Sequence, residues 1–152
     1  MKRIYLVRHG ETDLNVSGVF YGHTDCDLNG TGETQAMEVA AALKGVRFRK
    51  VISSPLKRAR RTADIILGEN QAKENTDLIM DDRLKEIDFG EWEGLSYEEI
   101  SKRDPIFWES YMKTWPENPS PGGESFRALF ERIRGFFEEL DGSEAEGDVL
   151  IT

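Results

Sequence analysis

Three short stretches of this chain carry side chains poorly suited to a core and well suited to an anion. The first is Arg8-His9-Gly10-Glu11-Thr12, which directly follows the apolar run Ile4-Tyr5-Leu6-Val7. An arginine and a histidine side by side at the end of such a run would be costly to bury unpaired, so they are either solvated loop residues or part of a site. Gly10 tilts the balance towards a site, because a glycine permits a tight turn and lets a ligand come close to the backbone. The second stretch, Ser53 to Ala63, contains Lys57, Arg58, Arg60 and Arg61. Lys57 and Arg58 would occupy the first turn of a helix, where the dipole disfavours cations and the free amides favour an anion. Arg58 is therefore a candidate ligand-binding residue, since its planar fork matches phosphate oxygens as a lysine would not. Arg60 and Arg61 read more simply as a solvated basic face with acidic neighbours. The third stretch, Arg83 to Gly94, taken alone is an acidic turn with glycines at 90 and 94. Asp81, Asp82, Glu86 and Asp88 could be imagined around a divalent cation, but no histidine accompanies them and the spacing matches no known loop. A metal is not expected.

These stretches must be positioned by regular elements, and the pattern of the chain says which. Ile4 to Val7 has the continuous apolar character of a strand covered on both faces in a parallel sheet. After a polar loop, Ala36, Val39, Ala40 and Leu43 recur at helical spacing, with Gly45 placed as a C-terminal cap. The unit then repeats. Val51 and Ile52 make a short strand, Ser53 or Ser54 can cap, Pro55 suits the first helical position, and Leu56, Ala59, Ala63, Ile66 and Leu67 line one helix face before Gly68. Two strand-loop-helix units predict a three-layer doubly wound α/β fold, a mostly parallel sheet with helices on both faces, whose ligands sit at the carboxyl ends of the strands. Arg8, His9 and Arg58 all fall there. Further on, Asn70 to Asp77 reads as a surface loop and Leu78 to Met80 as a third strand. Ser96 with Glu99 forms a capping box, and Asp104-Pro105 opens another helix carrying Phe107, Trp108, Tyr111 and Met112. Helices inserted here are placed to roof a pocket. Pro116 to Gly123 cannot be regular structure, because it holds three of the five prolines. From Phe126, the residues Leu129, Phe130, Ile133, Phe137 and Leu140 give the strongest amphipathic helical pattern, and Asp148 to Thr152 reads as a buried strand.

With 152 residues, 38% of them hydrophobic, the chain fits a single domain over 1–152 with one core. A net charge of −9 repels nucleic acid backbones and anionic lipid headgroups, so neither is expected as a partner. The only cysteine, Cys26, has no intrachain disulfide partner, which suits a reducing cytoplasm. The apolar run Ile4 to Val7 is too short for a signal peptide or a membrane span, so a soluble, cytoplasmic protein is expected.

Taken together and in order, the three stretches resemble the histidine phosphatase (phosphoglycerate mutase-like) superfamily. The match includes Leu6 to Thr12 with Asn15, Tyr21-Gly22, Leu28 to Gly32 with Gln35-Ala36, and the Ser53 to Ala63 run. It continues through Leu84-Lys85-Glu86, Phe89-Gly90-Glu91-Trp92-Glu93-Gly94 and Gly122-Gly123-Glu124-Ser125. The resemblance implies that His9 is phosphorylated, that Arg8, Asn15 and Arg58 hold the phosphate, that Gly22 lets backbone approach the substrate, and that Glu86 is the proton donor. No metal or organic cofactor is implied. Elementary chemistry agrees. Neutral imidazole is a good nucleophile at physiological pH, a metal-free site must neutralise phosphoryl charge with arginines and amides, and a carboxyl beside a bound dianion is driven towards its protonated form.

The family also uses a second histidine just after a late strand, followed by glycines, and Thr152 precedes any such residue. His23 does not correspond to it and is expected to be a solvated loop residue. The sequence is accordingly expected to be C-terminally truncated relative to the family, with an uncovered part of the sheet and weak or no activity as written. Within the family, the compact Phe89 to Gly94 stretch resembles the phosphatase branch, including broad-specificity and α-ribazole phosphatases. The expected substrate is a small phosphorylated metabolite such as α-ribazole phosphate, with Trp92, Phe107, Trp108, Tyr111 and Trp115 either shaping its pocket or packing as core. Phosphoglycerate mutase-type transfer, a noncatalytic phosphate-binding module, a structural interaction domain and self-association as a homodimer are left open.

Overall fold

The computed structural model describes residues 3–72, 76–142 and 147–152. Its four strands are β1 (Ile4–Leu6), β2 (Phe48–Ser53), β3 (Leu78–Met80) and β4 (Asp148–Ile151). They form one sheet in the order β1-β4-β2-β3, and every pairing is parallel. The last strand in sequence thus lies inside the sheet, with Ile151 in register with Leu6 on one side and Ile52 on the other. This order decides where chemistry can occur. The chain leaving β1, β2 and β4 emerges at one rim, tied by Val7 N–H donating to Ile151 O and Ser54 N–H donating to Thr152 O, both at 2.9 Å. His9, Ser54 and Thr152 are therefore neighbours along that rim, where open α/β sheets bind their ligands.

Side chains alternate between two apolar layers, as the period of a strand requires. On one face, Val51 and Leu150 pack with Ala36 and Ala40 of α2 (Gly30–Leu43) and with Ala63 and Ile66 of α3 (Lys57–Glu69). The small residues let those two helices close on the sheet and on each other. On the other face, Ile52, Val149 and Ile151 pack with Phe136 and Leu140 of a helix spanning Phe126–Gly142. The result is three layers, helix, sheet and helix. β1 departs from the expected double cover. Tyr5 and Val7 join the first layer, but Ile4 and Leu6 are 43% and 68% exposed, because the Phe126–Gly142 helix crosses only the middle of the sheet.

Several boundaries also differ from the sequence reading. Asp13–Ser17, expected as loop, is a short helix (α1) whose N-cap Thr12 forms a capping box with Asn15. α3 begins at Lys57 rather than at Pro55, and no side chain caps it from Leu56; Asp25 instead accepts from the Lys57 amide at 2.7 Å. The anion expected at this helix start is thus supplied in part by the chain itself. Gly45 follows Lys44, the right-handed end of α2, and has no positive φ, so it is not the left-handed cap that was expected. The remaining helices, α4 (Tyr97–Arg103), α5 (Pro105–Thr114) and α6 (Phe126–Gly142), fall where the capping box, the Asp104-Pro105 start and the amphipathic period put them. The expected loop at 70–77 is described outside 73–75, which lie beyond the described residues. Among the described residues, no helix is long and apolar enough to cross a membrane.

Candidate active site

Arg8, His9, Arg58 and Glu86 line a single cavity of about 230 Å³ at the rim where β1, β2 and β4 end. Three separate stretches thus meet there: the turn after β1, the first turn of α3, and the segment that follows the short 3-10 turn Asp82–Leu84. Leu84, Leu129 and Ile133 supply an apolar wall, and Thr152 closes the end of β4.

His9 is half-buried, and its Nδ1 lies 2.7 Å from the Gly10 carbonyl. A carbonyl can only accept, so Nδ1 carries the proton and Nε2 keeps its lone pair. Burial pushes the imidazole below its ordinary histidine range. The Gly10 carbonyl opposes this, the positive charges of Arg58 and Arg8 reinforce it, and Glu86 opposes it weakly. The net direction favours the neutral ring, which is the form able to attack phosphorus.

Arg58 is only 2% exposed, the largest fully buried side chain among the described residues. Its guanidinium donates to Gly22 O at 2.7 Å and Thr24 O at 3.1 Å and lies over the Tyr21 ring, 4.7 Å from the centroid. No carboxylate pairs with it among the described residues. A buried cation held only by carbonyls and an aromatic face leaves its charge uncompensated, and the cavity is the direction from which an anion can supply it. Arg8 is exposed and likewise makes no ion pair among the described residues. By contrast, Arg60 and Arg61 meet Asp64 and Glu33, as a solvated basic face would.

The surroundings hold these groups in place. Thr62, one helical turn after Arg58, donates its hydroxyl to Arg58 O at 2.8 Å and accepts from Gly10 N at 3.2 Å, tying the His9 turn to α3. Glu93 accepts from the amides of Gly22, His23, Thr24 and Phe89 at 2.8–3.1 Å, so one carboxylate organises the loop whose carbonyls hold Arg58. Burial works against ionisation of Glu93, but the bonds from Thr24, His23 and Phe89 outweigh it and hold its carboxyl below the usual range.

Two glycines have a different reason from the one read in the sequence. A Cβ at Gly10 would lie 2.3 Å from Gly32 O, and one at Gly22 would lie 1.6 Å from Ile87 O. The backbone seen to approach both is this chain's own, which alone requires a glycine at each position. Gly22 N–H is also spent on Glu93, so Gly22 acts through its carbonyl on Arg58 and not by direct contact with the cavity. Asn15 does not line the cavity either. Its Oδ1 accepts from Thr12 N at 3.0 Å within the capping box of α1, leaving only its Nδ2 to offer a ligand. The acids weighed as metal ligands are dispersed among partners: Asp81 with Arg83, Asp82 with Lys85, Asp88 with His23. No group of three ligating side chains gathers among the described residues. His23 is exposed and absent from the cavity wall.

A family model of the histidine phosphatase superfamily (branch 1) matches residues 4–152. The chain belongs to the histidine phosphatase superfamily. Among its relatives, the uncharacterized phosphatase PhoE of Bacillus subtilis (strain 168) is 38% identical over 151 residues, covering 99% of this chain and 70% of that protein. The adenosylcobalamin/alpha-ribazole phosphatase of Escherichia coli (strain K12) is 30% identical over 149 residues, 98% of this chain and 71% of that one. The crystal structure of the alpha-ribazole phosphatase from Shigella flexneri superposes with a TM-score of 0.89 at 30% identity, over 97% of this chain and 71% of the other. The fold is thus the one found in this superfamily's solved structures.

For a histidine phosphatase chain, the sequence reading placed Tyr21, Thr62, Leu84 and Glu93 in matching stretches and Leu129 and Ile133 on an amphipathic helix, but gave none of them a role in the site. Thr62 had a visible signal, since it lies four residues after Arg58 on one helix face. The aromatic residues were the reverse case. Trp92, Trp108 and Tyr111 pack edge to face or stacked among themselves and with Phe20, Trp115 packs on Phe126, and none lines the His9 cavity.

Proposed function

We propose that this protein hydrolyses phosphomonoesters of small metabolites through a phosphohistidine at His9. The observation that carries the reading is the buried guanidinium of Arg58, without a carboxylate partner among the described residues, opening on the same cavity as a neutral-leaning imidazole. His9 Nε2 attacks phosphorus in line. The bond from phosphorus to the ester oxygen breaks, and the departing alkoxide takes a proton from the Glu86 carboxyl. Water then attacks the phosphohistidine, giving its proton to the Glu86 carboxylate as the bond from phosphorus to Nε2 breaks. Inorganic phosphate leaves, and both residues return to their starting states. Arg8 and Arg58 neutralise charge on the transferring oxygens, with Asn15 Nδ2 as a further donor. The residues account for both half-reactions without a metal.

The apolar wall of Leu84, Leu129 and Ile133 favours a leaving group with an unsolvated face rather than a compact sugar acid. α-Ribazole phosphate is the substrate to try first, because similar proteins carry that activity in their names. Incubation with a labelled phosphate donor and mass spectrometry of quenched protein tests the mechanism. Label on His9 in the wild type and none in His9→Ala is expected. Turnover that survives in His9→Ala, or label on another residue, overturns the proposal.

A further inference from the structure

Nothing in a strand ladder or helix holds Glu86, which sits in the irregular segment after the 3-10 turn Asp82–Leu84 and is itself exposed. Its Oε1 accepts from the Ile87 amide at 3.0 Å, a bond to the same irregular segment, so the carboxyl is only as fixed as the backbone that carries both residues. Fixing that backbone falls to Arg132, which faces the segment from α6. Its Nη1 donates to Arg83 O at 2.6 Å and Lys85 O at 2.7 Å, and its Nη2 donates to Glu86 O at 3.0 Å. The other edge of the guanidinium is bidentate to Glu124, Nε to Oε1 at 2.7 Å and Nη2 to Oε2 at 2.8 Å. A guanidinium has five N–H donors, and these five bonds use them all. Glu124 is anchored in turn, its amide donating at 2.8 Å to Asp88 O, two residues beyond Glu86. Although burial opposes ionisation of Glu124, its bonds to Arg132 hold the carboxyl below the ordinary range, so the pair stays charged at neutral pH. The neighbouring residue Ile133, with Leu129 one turn before it, already lines the cavity.

We infer that Arg132, oriented by Glu124, is a positioning residue that sets the Glu86 carboxyl against the leaving-group oxygen. This rests on the reading of Glu86 as the general acid given above. A surface ion pair would contribute little, and a lysine would serve it equally well. Three carbonyls converging on one planar fork are a different case, because lysine cannot reproduce the geometry.

The experiment compares two substrates that differ in their need for a proton. An alkyl phosphate leaves as a strongly basic alkoxide, whereas 2,4-dinitrophenolate leaves unaided. Glu86→Gln, the reference, is expected to lose about 10²–10⁴-fold on the alkyl ester and little on the dinitrophenyl ester in kcat/KM, which reports only the half-reaction that expels the leaving group, dephosphorylation of His9 being common to both esters. Arg132→Lys should show the same pattern on a smaller scale, about 10–100-fold on the alkyl ester and under about threefold on the aryl one, through misplacement of the acid. Inhibition by inorganic phosphate should stay within about threefold, since Arg132 does not face the phosphate cradle. Glu124→Gln, which disturbs only two of the five bonds, is the second variant and decides the matter if Arg132→Lys does not fold. Equal losses on both substrates, or no loss, while Glu86→Gln still discriminates, overturn the inference alone. If Glu86→Gln does not discriminate, the reading of Glu86 as the acid falls, and the inference with it.

Discussion

Arg58 offers a direct test of whether the cavity is built around an anion, because its removal should leave stability almost unchanged while function collapses. Consider Arg58→Met, which keeps the aliphatic stem and removes the guanidinium. Gly22 O and Thr24 O lose their donors, at about 1–3 kcal/mol each, and the contact with the Tyr21 face, about 0.5–2 kcal/mol, is lost as well. Against this, a side chain only 2% exposed no longer carries an unpaired charge, a relief of several kcal/mol. The terms nearly cancel, so the net change in folding free energy should stay within about 2 kcal/mol in phosphate-free buffer. Catalysis has no such compensation. Losing a fixed donor to the transferring phosphoryl oxygens should lower kcat/KM on an aryl phosphate by at least about 10²–10³-fold. Thermal melts with and without inorganic phosphate complete the assay. At a concentration of about 100 times its dissociation constant, phosphate adds about 2.7 kcal/mol to the wild type, or about 5–10 °C for a chain of this size. It should add almost nothing to the variant. A variant that keeps its phosphate-induced shift, or whose activity stays within tenfold of wild type, would refute the argument.

Two further outcomes follow from the same geometry. In an NMR titration of the ligand-free protein, His9 should change charge below the ordinary histidine value of about 6.5, with His9→Gln identifying its resonance; saturating phosphate should raise that midpoint, because a dianion stabilises imidazolium. Glu93→Gln should destabilise the protein at neutral pH by on the order of 2 kcal/mol, by disturbing the loop 22–24. Since its folded-state carboxyl lies below the ordinary range, this contribution exists above the unfolded value and disappears as pH falls through the folded one, so wild type and variant should converge in acid denaturation.

What the sequence disclosed about this site, and what it hid, divides along the range of the interactions involved. Arg8 and His9 were visible because a charged pair ending an apolar strand is a local contradiction, and Arg58 because its place in the first helical turn is another. The parallel sheet followed from two strand-helix units, but the position of β4 between β1 and β2 is a pairing choice made across the whole chain, and no local period encodes it. Gly10 and Gly22 stood out by type, yet the backbone that needs their space belongs to Gly32 and Ile87, far off in sequence. Glu93 and Arg132 show the limit most clearly. Each is one charge among many in a run that reads as solvated, and each reaches its partners across long separations, 71 residues from Glu93 to Gly22 and 46 from Arg132 to Glu86. Both nevertheless hold backbone rather than solvent, one beneath the Arg58 guanidinium and the other behind the Glu86 carboxyl. In a cavity whose candidate catalytic side chains all sit on irregular segments or first turns, those two charges carry the rigidity that strands and helices provide elsewhere, and a substitution at either should cost more than its surface-like sequence context implies.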